Sequence, residues 1–182
     1  MRKYILLCLV FLTGCAPWLQ VGGLYESGEH NFSVELPEGW MRLNTSEHLL
    51  ITRDGVLLQN IIVEKIGNDK KLEHTKKKFA KGMLPQESAE VALDNISSNQ
   101  DVVNLAVTEN VPAKIGGYPG FKAVFTYKTK DGLKKKSVYY GFMLGEWFYG
   151  IRYTAAQRYY FDKDIATFEK VLASFKVTKG GK

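Results

Sequence analysis

The stretch from Gly116 to Tyr153 constrains this chain more than any other. Three segments rich in β-branched and aromatic residues follow one another there, parted only by short turns. Gly116-Gly117-Tyr118-Pro119-Gly120 opens the first, in which Phe121, Ala123, Phe125 and Tyr127 fall opposite Lys122, Val124 and Lys128. Asp131-Gly132 leads into the second, Lys136 to Leu144, and Gly145-Glu146 into the third, Trp147 to Tyr153. A side-chain period of two is that of a strand. Connections this short return the chain antiparallel, because a parallel crossover needs about a dozen residues or more. The stretch therefore predicts an antiparallel meander. Its glycine cluster is a turn and not a phosphate loop, since it lacks the Gly-Lys-Ser/Thr ending that holds phosphate and magnesium.

The same logic extends to the rest of the chain. Phe32, Val34 and Leu36 alternate with polar residues, and Pro37-Glu38-Gly39-Trp40 is expected to end that strand in a turn. Leu49 to Arg53 and Val56 to Ile66 are apolar runs joined by Asp54-Gly55, a strong hairpin signal. Asn68 to Lys81 changes character: Leu72 and Phe79 could share one helical face among many lysines, and Gly82 would close that short helix. Pro85 opens a second helix, in which Ala89, Ala92, Leu93 and Ile96 follow the i, i+3, i+4, i+7 rule. Val103, Leu105 and Val107 alternate as a further strand. Thr154-Ala155-Ala156-Gln157 fits a capping box for a last helix, whose stripe is Phe161, Ile165, Phe168 and Leu172, with Phe175 beyond. Asp162 is an alternative cap if the helix breaks at Tyr159-Tyr160. Strands and helices segregate rather than alternate, which gives an α+β class with an antiparallel sheet.

The beginning of the chain carries a different message. Arg2 and Lys3 precede a short apolar run, Tyr4 to Leu12, far below the roughly 20 residues of a membrane-spanning helix. Positive start, brief apolar core and small residues describe a secretory signal. The ending Leu12-Thr13-Gly14-Cys15 resembles the bacterial lipobox. That resemblance implies cleavage between Gly14 and Cys15, diacylglycerol on the Cys15 thiol, and an acylated amine, as by palmitate. Each buried methylene adds about 0.8 kcal/mol, so two or three chains hold where one is marginal. Residues 1–14 are thus read as a lipoprotein signal peptide, 15–30 as the lipidated N-terminus and a tether, 31–177 as a single domain, and 178–182 as a polar tail. About 14 extended tether residues reach on the order of 50 Å. Ala16 is not the aspartate linked to inner-membrane retention, which favours the outer membrane over the inner.

Composition bounds the chemistry. Cys8 and Cys15 are the only cysteines; the first leaves with the leader and the second carries lipid. The mature domain then has neither a disulfide nor a thiolate metal site, and its stability comes from packing. Removing Arg2 and Lys3 lowers the formal net charge from +6 by two. The cations concentrate at Lys70, Lys71, Lys76, Lys77, Lys78 and Lys81, and again at Lys134, Lys135 and Lys136. These form a candidate basic surface for anionic headgroups, where each is worth about 1 kcal/mol, or they are a solvated face and a hairpin end. Nucleic acid is excluded by the expected location.

His30, His48 and His74 have no metal-ligand spacing, no Gly-x-Ser-x-Gly elbow occurs, and Glu87 with Glu90 reads as the wet side of a helix. No catalytic residue, metal or cofactor is expected. Tyr139, Tyr140, Trp147, Phe148, Tyr149, Tyr153, Tyr159 and Tyr160 are dense enough that part must be core and part could anchor a partner.

Taken together, three stretches are similar to the PsbP-like superfamily, which also holds Mog-type proteins. They are Phe32 to Trp40 with its strand-Pro-x-Gly-Trp pattern, the Gly116 to Gly120 turn, and Phe168 to Phe175 with its Ser-Phe ending. The likeness implies an antiparallel sheet with helices on both faces, an α/β/α sandwich. It implies non-catalytic binding rather than a particular activity, because fold does not fix function. The resulting expectation is a lipid-anchored, periplasm-facing cell-envelope lipoprotein that binds or assembles an envelope protein or ligand. An enzyme acting on envelope components and a structural envelope-integrity factor touching anionic lipid are the alternatives.

Overall fold

A computed structural model describes residues 17–178; the stretch read as a signal peptide, the expected cleavage site at Gly14, and Cys15 lie outside them. Among the described residues nine strands form one sheet. In chain order they are β1 (Trp18–Ser27), β2 (Phe32–Leu43), β3 (Leu49–Thr52), β4 (Gln59–Gly67), then helix α1 (Pro85–Ser97), β5 (Val103–Ile115), β6 (Tyr118–Lys128), β7 (Lys134–Leu144), β8 (Trp147–Ala156), helix α2 (Tyr160–Ser174) and β9 (Lys176–Val177). The spatial order is β1-β2-β3-β4-β8-β7-β6-β5, with β9 also on β2. Every pairing is antiparallel. The class is therefore α+β, with the meander β6–β7–β8 where alternation and turns placed it.

The two halves of the sheet meet at the long β4–β8 pair, which runs from Gln59 opposite Ala155 to Gly67 opposite Trp147. Because side chains alternate, these central strands feed two cores at once. Ile61 and Val63 of β4 and Tyr149, Ile151 and Tyr153 of β8 point to one face, where Phe161, Phe168 and Val171 of α2 close over them. Phe148 of β8, Tyr139 of β7 and Phe121, Ala123 and Phe125 of β6 point to the other, under Ala89, Val91, Ala92 and Ile96 of α1. One helix on each face makes an α/β/α sandwich. Phe175 extends the α2 stripe into the first core and is 1% exposed.

Four local expectations are corrected. Residues 18–27, read as tether, are strand β1, paired with β2 from Trp18 opposite Leu43 to Ser27 opposite Phe32. The Pro37–Trp40 segment does not end its strand: β2 runs on to Leu43, with Gly39 at φ 74° and the register shifting opposite, between Val21 and Gly23. A glycine at positive φ lets the strand pass through an irregularity that would halt another residue. Residues 68–84 contain no helix. Like charges four apart, as at Lys77 and Lys81, oppose one. The loop is instead tied to α1, where the His74 amide donates to Asn95 Oδ1 at 3.0 Å and Lys77 Nζ meets Asp94 at 3.2 Å. Leu72 and Phe79 are buried all the same.

The fourth correction concerns the last helix. Thr154-Ala155-Ala156 is the end of β8, so the capping-box pattern there caps nothing. Thr154 Oγ1 pairs with Ser137 Oγ at 2.8 Å and Gln157 N donates to Lys134 O. The helix begins at Tyr160, after Tyr159 at φ 72°, with Asp162 in its first turn and not at the cap. The β5 alternation is also weaker than it reads: Val103 and Val107 are 39% and 44% exposed, because β5 is an edge strand.

Candidate functional site

The two faces of the sheet are not equally covered. Helix α1 packs on β5, β6 and β7, and the loop 68–84 reaches in with Phe79, whose ring stacks on Phe148 at 4.0 Å between centroids. Between helix, loop and the central strands a cleft of about 830 Å³ remains. Its floor is the α1 side of the sheet: Ile62, Glu64 and Ile66 of β4, Arg152 and Thr154 of β8, and Ser137 and Tyr139 of β7. Asn95 and Ile96 of α1, with Asn99 just beyond its end, make one wall, and Leu72, His74 and Phe79 another. His48 and Glu47 stand at the rim.

Three floor residues form the polar centre. Tyr139 Oη donates to Glu64 Oε1 at 2.7 Å across the sheet. Gly150 lies opposite Glu64, and a Cβ there would come within 2.8 Å of the Tyr139 hydroxyl, so only glycine leaves room for the pair. Arg152 pairs with Tyr139 in the β7–β8 register and lays its guanidinium carbon 5.5 Å from the centre of that ring. Its Nε is buried without a hydrogen-bond partner. The guanidinium has no ion pair among the described residues.

Burial pushes the Tyr139 phenol well above the ordinary tyrosine range, and the Glu64 carboxylate adds to that shift. Burial also raises Tyr127, at the cleft's edge. Tyr139 thus keeps the proton it donates to Glu64. Ser137 and Thr154 spend their hydroxyls on each other, at 2.8 Å. The chemistry offered is that of recognition: fixed donors, an aromatic floor and one unmatched guanidinium.

The lysines do not form one surface. Lys70, Lys71, Lys76, Lys77, Lys78 and Lys81 are exposed on the loop 68–84, on the α1 side. Lys135 is only 4% exposed, with Nζ donating to Leu57 O, and burial lowers its pKa. Lys136 points to the α2 side, its Nζ 4.3 Å from the centre of the Phe161 ring, and Lys134 shares that parity at the strand's exposed end. Strand alternation is what scatters this second trio.

Of the histidines, His48 and His74 both line the cleft, while His30 lies elsewhere with Nε2 2.7 Å from Ser46 O. Among the described residues no three or more His, Cys, Asp or Glu side chains gather as a metal site. Glu87 accepts from the Leu84 amide at 2.8 Å at the start of α1, and Glu90 is exposed. In the aromatic set Tyr139, Phe148, Tyr149 and Tyr153 are buried, Tyr140 and Tyr160 half-buried, and Trp147 and Tyr159 exposed. Arg152 and Glu64 were not singled out from sequence. The available signal is Arg152 alone, a charged residue between Ile151 and Tyr153 on a central strand; Glu64, next to Lys65, carries none.

Comparison with known proteins bears on the fold. No family model matches the chain, and no curated protein does. Solved structures do. The solution structure of cyanobacterial PsbP (CyanoP) from Synechocystis sp. PCC 6803 superposes with a TM-score of 0.59 at 12% identity, over 91% of this chain and 95% of that one. The Ran-binding protein Mog1p of Saccharomyces cerevisiae gives 0.58 at 8% identity, over 88% and 97%. LpqN, involved in cell envelope biogenesis of Mycobacterium tuberculosis, gives 0.52 at 13% identity, over 89% and 91%. Against a Bacteroides thetaiotaomicron structure, at 0.54 and 13% identity, 88% of this chain spans only 50% of that one. The fold is thus PsbP/Mog-like. No helix among the described residues is long and apolar enough to cross a membrane.

Proposed function

We propose that this chain is a membrane-anchored lipoprotein of the bacterial cell envelope, facing the periplasm, whose domain binds an envelope protein or ligand without catalysis. The observation that carries the binding role is the cleft on the α1 face, with its polar groups held by one another rather than arranged as nucleophile and base. Support for the location comes from the leader and the Leu12-Thr13-Gly14-Cys15 ending. The same architecture occurs in LpqN, whose part in cell envelope biogenesis fits this reading. Ala16 favours the outer membrane. Strand β1 begins at Trp18, so lipid on Cys15 would leave a very short link between bilayer and first strand rather than a long tether.

The anchor is tested by Cys15→Ala. The substituted chain should lose the mass of the acyl groups and should no longer be processed at the Gly14–Cys15 bond. Two or three acyl chains make membrane association effectively stable, so any processed Cys15→Ala chain should move to the soluble periplasmic fraction. A native chain of unmodified mass, or a processed Cys15→Ala chain that still sediments with membranes, would show that lipid on Cys15 is not what holds it.

A further inference from the structure

Arg152 stands out because its surroundings leave it incomplete. A guanidinium presents five donors in a planar fork, and here Nε is buried with no acceptor. A buried donor left unmade costs about 1–3 kcal/mol, and more when charged. The carboxylate on the floor, Glu64, accepts from Tyr139, and no ion pair joins it to Arg152. Folding alone therefore does not explain a cation at this place in a central strand. The Tyr139 ring holds the guanidinium in position, and the open side of the site is the cleft.

The apolar part of the cleft has its own direction. Ile66 on the floor, Phe79 from the loop and Ile96 from α1 pack in one hydrophobic cluster, and Ile62, which pairs with Arg152 in the β4–β8 register, lines the cleft with them. A ligand satisfying both parts needs an anionic head and an apolar body. Lys65, Lys70 and Lys71 also line the cleft, but beside Arg152 on the floor stands the Glu64 carboxylate, which favours a singly charged head there over a doubly charged one, since like charges at close range oppose each other. We propose that the cleft binds an amphipathic organic monoanion, an aliphatic carboxylate, whose head is gripped by Arg152 and whose chain lies against Ile62, Ile66, Phe79 and Ile96. This rests on the binding role proposed above and specifies its ligand class.

The test uses the full chain in phospholipid nanodiscs, with the arginine Nε signals observed by nitrogen NMR and that of Arg152 assigned by its loss in Arg152→Gln. Octanoate should shift the Arg152 Nε signal saturably, whereas octanol and inorganic phosphate should not. Arg152→Gln should weaken octanoate binding, read from the Tyr127 and Tyr139 ring signals, by about tenfold or more, as expected for a charged hydrogen-bonded contact. It should leave the melting temperature unchanged or higher, because an unmatched cation has been removed. Arg152→Lys should recover part of the affinity, keeping the charge and losing the planar fork. Ile62→Trp should abolish binding by filling the cleft while the Arg152 signal persists. If octanol shifts the cleft signals as strongly as octanoate and the Arg152 signal stays still, the anionic class is wrong and the binding role survives. If no probe moves any cleft signal, the amphipathic-anion class is wrong, and the binding role then stands or falls on whether a reactive group at His48 on the cleft rim captures a partner in cells.

Discussion

Asp164→Ala is expected to lower the unfolding free energy by about 3 kcal/mol, a fall in melting temperature of roughly 6–12 °C for a chain of this size. Asp164 sits on α2 and is 1% exposed. Its Oδ2 accepts from Arg53 Nη2 at 2.8 Å and from Gln59 Nε2 at 3.0 Å. Gln59 in turn takes the Thr52 hydroxyl and the Arg53 amide on its Oε1, each at 3.0 Å. One carboxylate thus pins the β3–β4 hairpin to the helix above it. Removing it strands Gln59, which is wholly buried, and Arg53, whose side chain is 33% exposed and can recover water. That partial rescue is why the loss falls at the low end of what breaking a buried pair costs. Asp164→Asn should cost less, about 1–3 kcal/mol, because one acceptor remains. Asp54→Ala, which breaks the more exposed pair with Lys163 at 2.8 Å, should cost no more than about 1 kcal/mol. Urea denaturation of the three variants checks the ranking, and equal losses at Asp54 and Asp164 would refute the account of the hairpin.

Phe148→Ala is the second large effect, a loss of about 3–5 kcal/mol. The ring is fully buried at the centre of the α1-side core. It stacks on Phe79 at 4.0 Å between centroids and meets Tyr139 edge-on at 6.3 Å. Phe79 and Leu72 are the buried anchors of the loop 68–84. Losing the platform beneath one of them should free the loop locally as well as weaken the whole. Hydrogen exchange separates the two effects: amides of 70–81 should exchange faster in the variant than the drop in global stability requires, while α2, on the far face, should follow the global change alone. A uniform change across loop and helix would mean that Phe79 is not what holds the loop.

How much of this was legible in the sequence depended on whether local pattern and burial agreed. The meander β6–β8 was readable because Phe121, Ala123 and Phe125 do bury one face and the turns at Gly116-Gly117, Gly132 and Gly145 have the positive φ angles such turns need. Helix α1 was readable for the same reason, its Ala89, Ala92 and Ile96 being buried as spaced. Strand β1 was hidden because it is an edge strand with Gly22 and Gly23 at its middle and Leu24 62% exposed, so its residues carry no alternation to see. The capping-box pattern at Thr154 misled because a threonine and a glutamine at that spacing also suit a strand end whose hydroxyl bonds to Ser137. Leu72 and Phe79 are both buried, as a shared helical face would have them, but a loop fixed to Asp94 and Asn95 delivers them as well as a helix would.

The site was less legible than the fold. Glu64, Tyr139 and Arg152 come from three different strands, and only the register Tyr139 opposite Arg152, with Gly150 opposite Glu64, brings them together. Nothing local marks an arginine as lacking a partner, since that depends on which side chains the fold places around it. The lysine clusters show the converse. Lys134, Lys135 and Lys136 look like one patch in sequence, yet alternation sends Lys135 to the opposite face from its neighbours and buries it.

The central claim is that the α1 face, and not the α2 face, is where this domain meets what it binds. Site-specific photocross-linking in intact cells measures this most directly, with the reactive group at His48 on the cleft rim or at the exposed Glu169 of α2. A discrete adduct from position 48 that disappears when Ile62→Trp fills the cleft, with none from position 169, is the predicted result. An adduct from position 169 alone, or one from position 48 that survives Ile62→Trp, would contradict it.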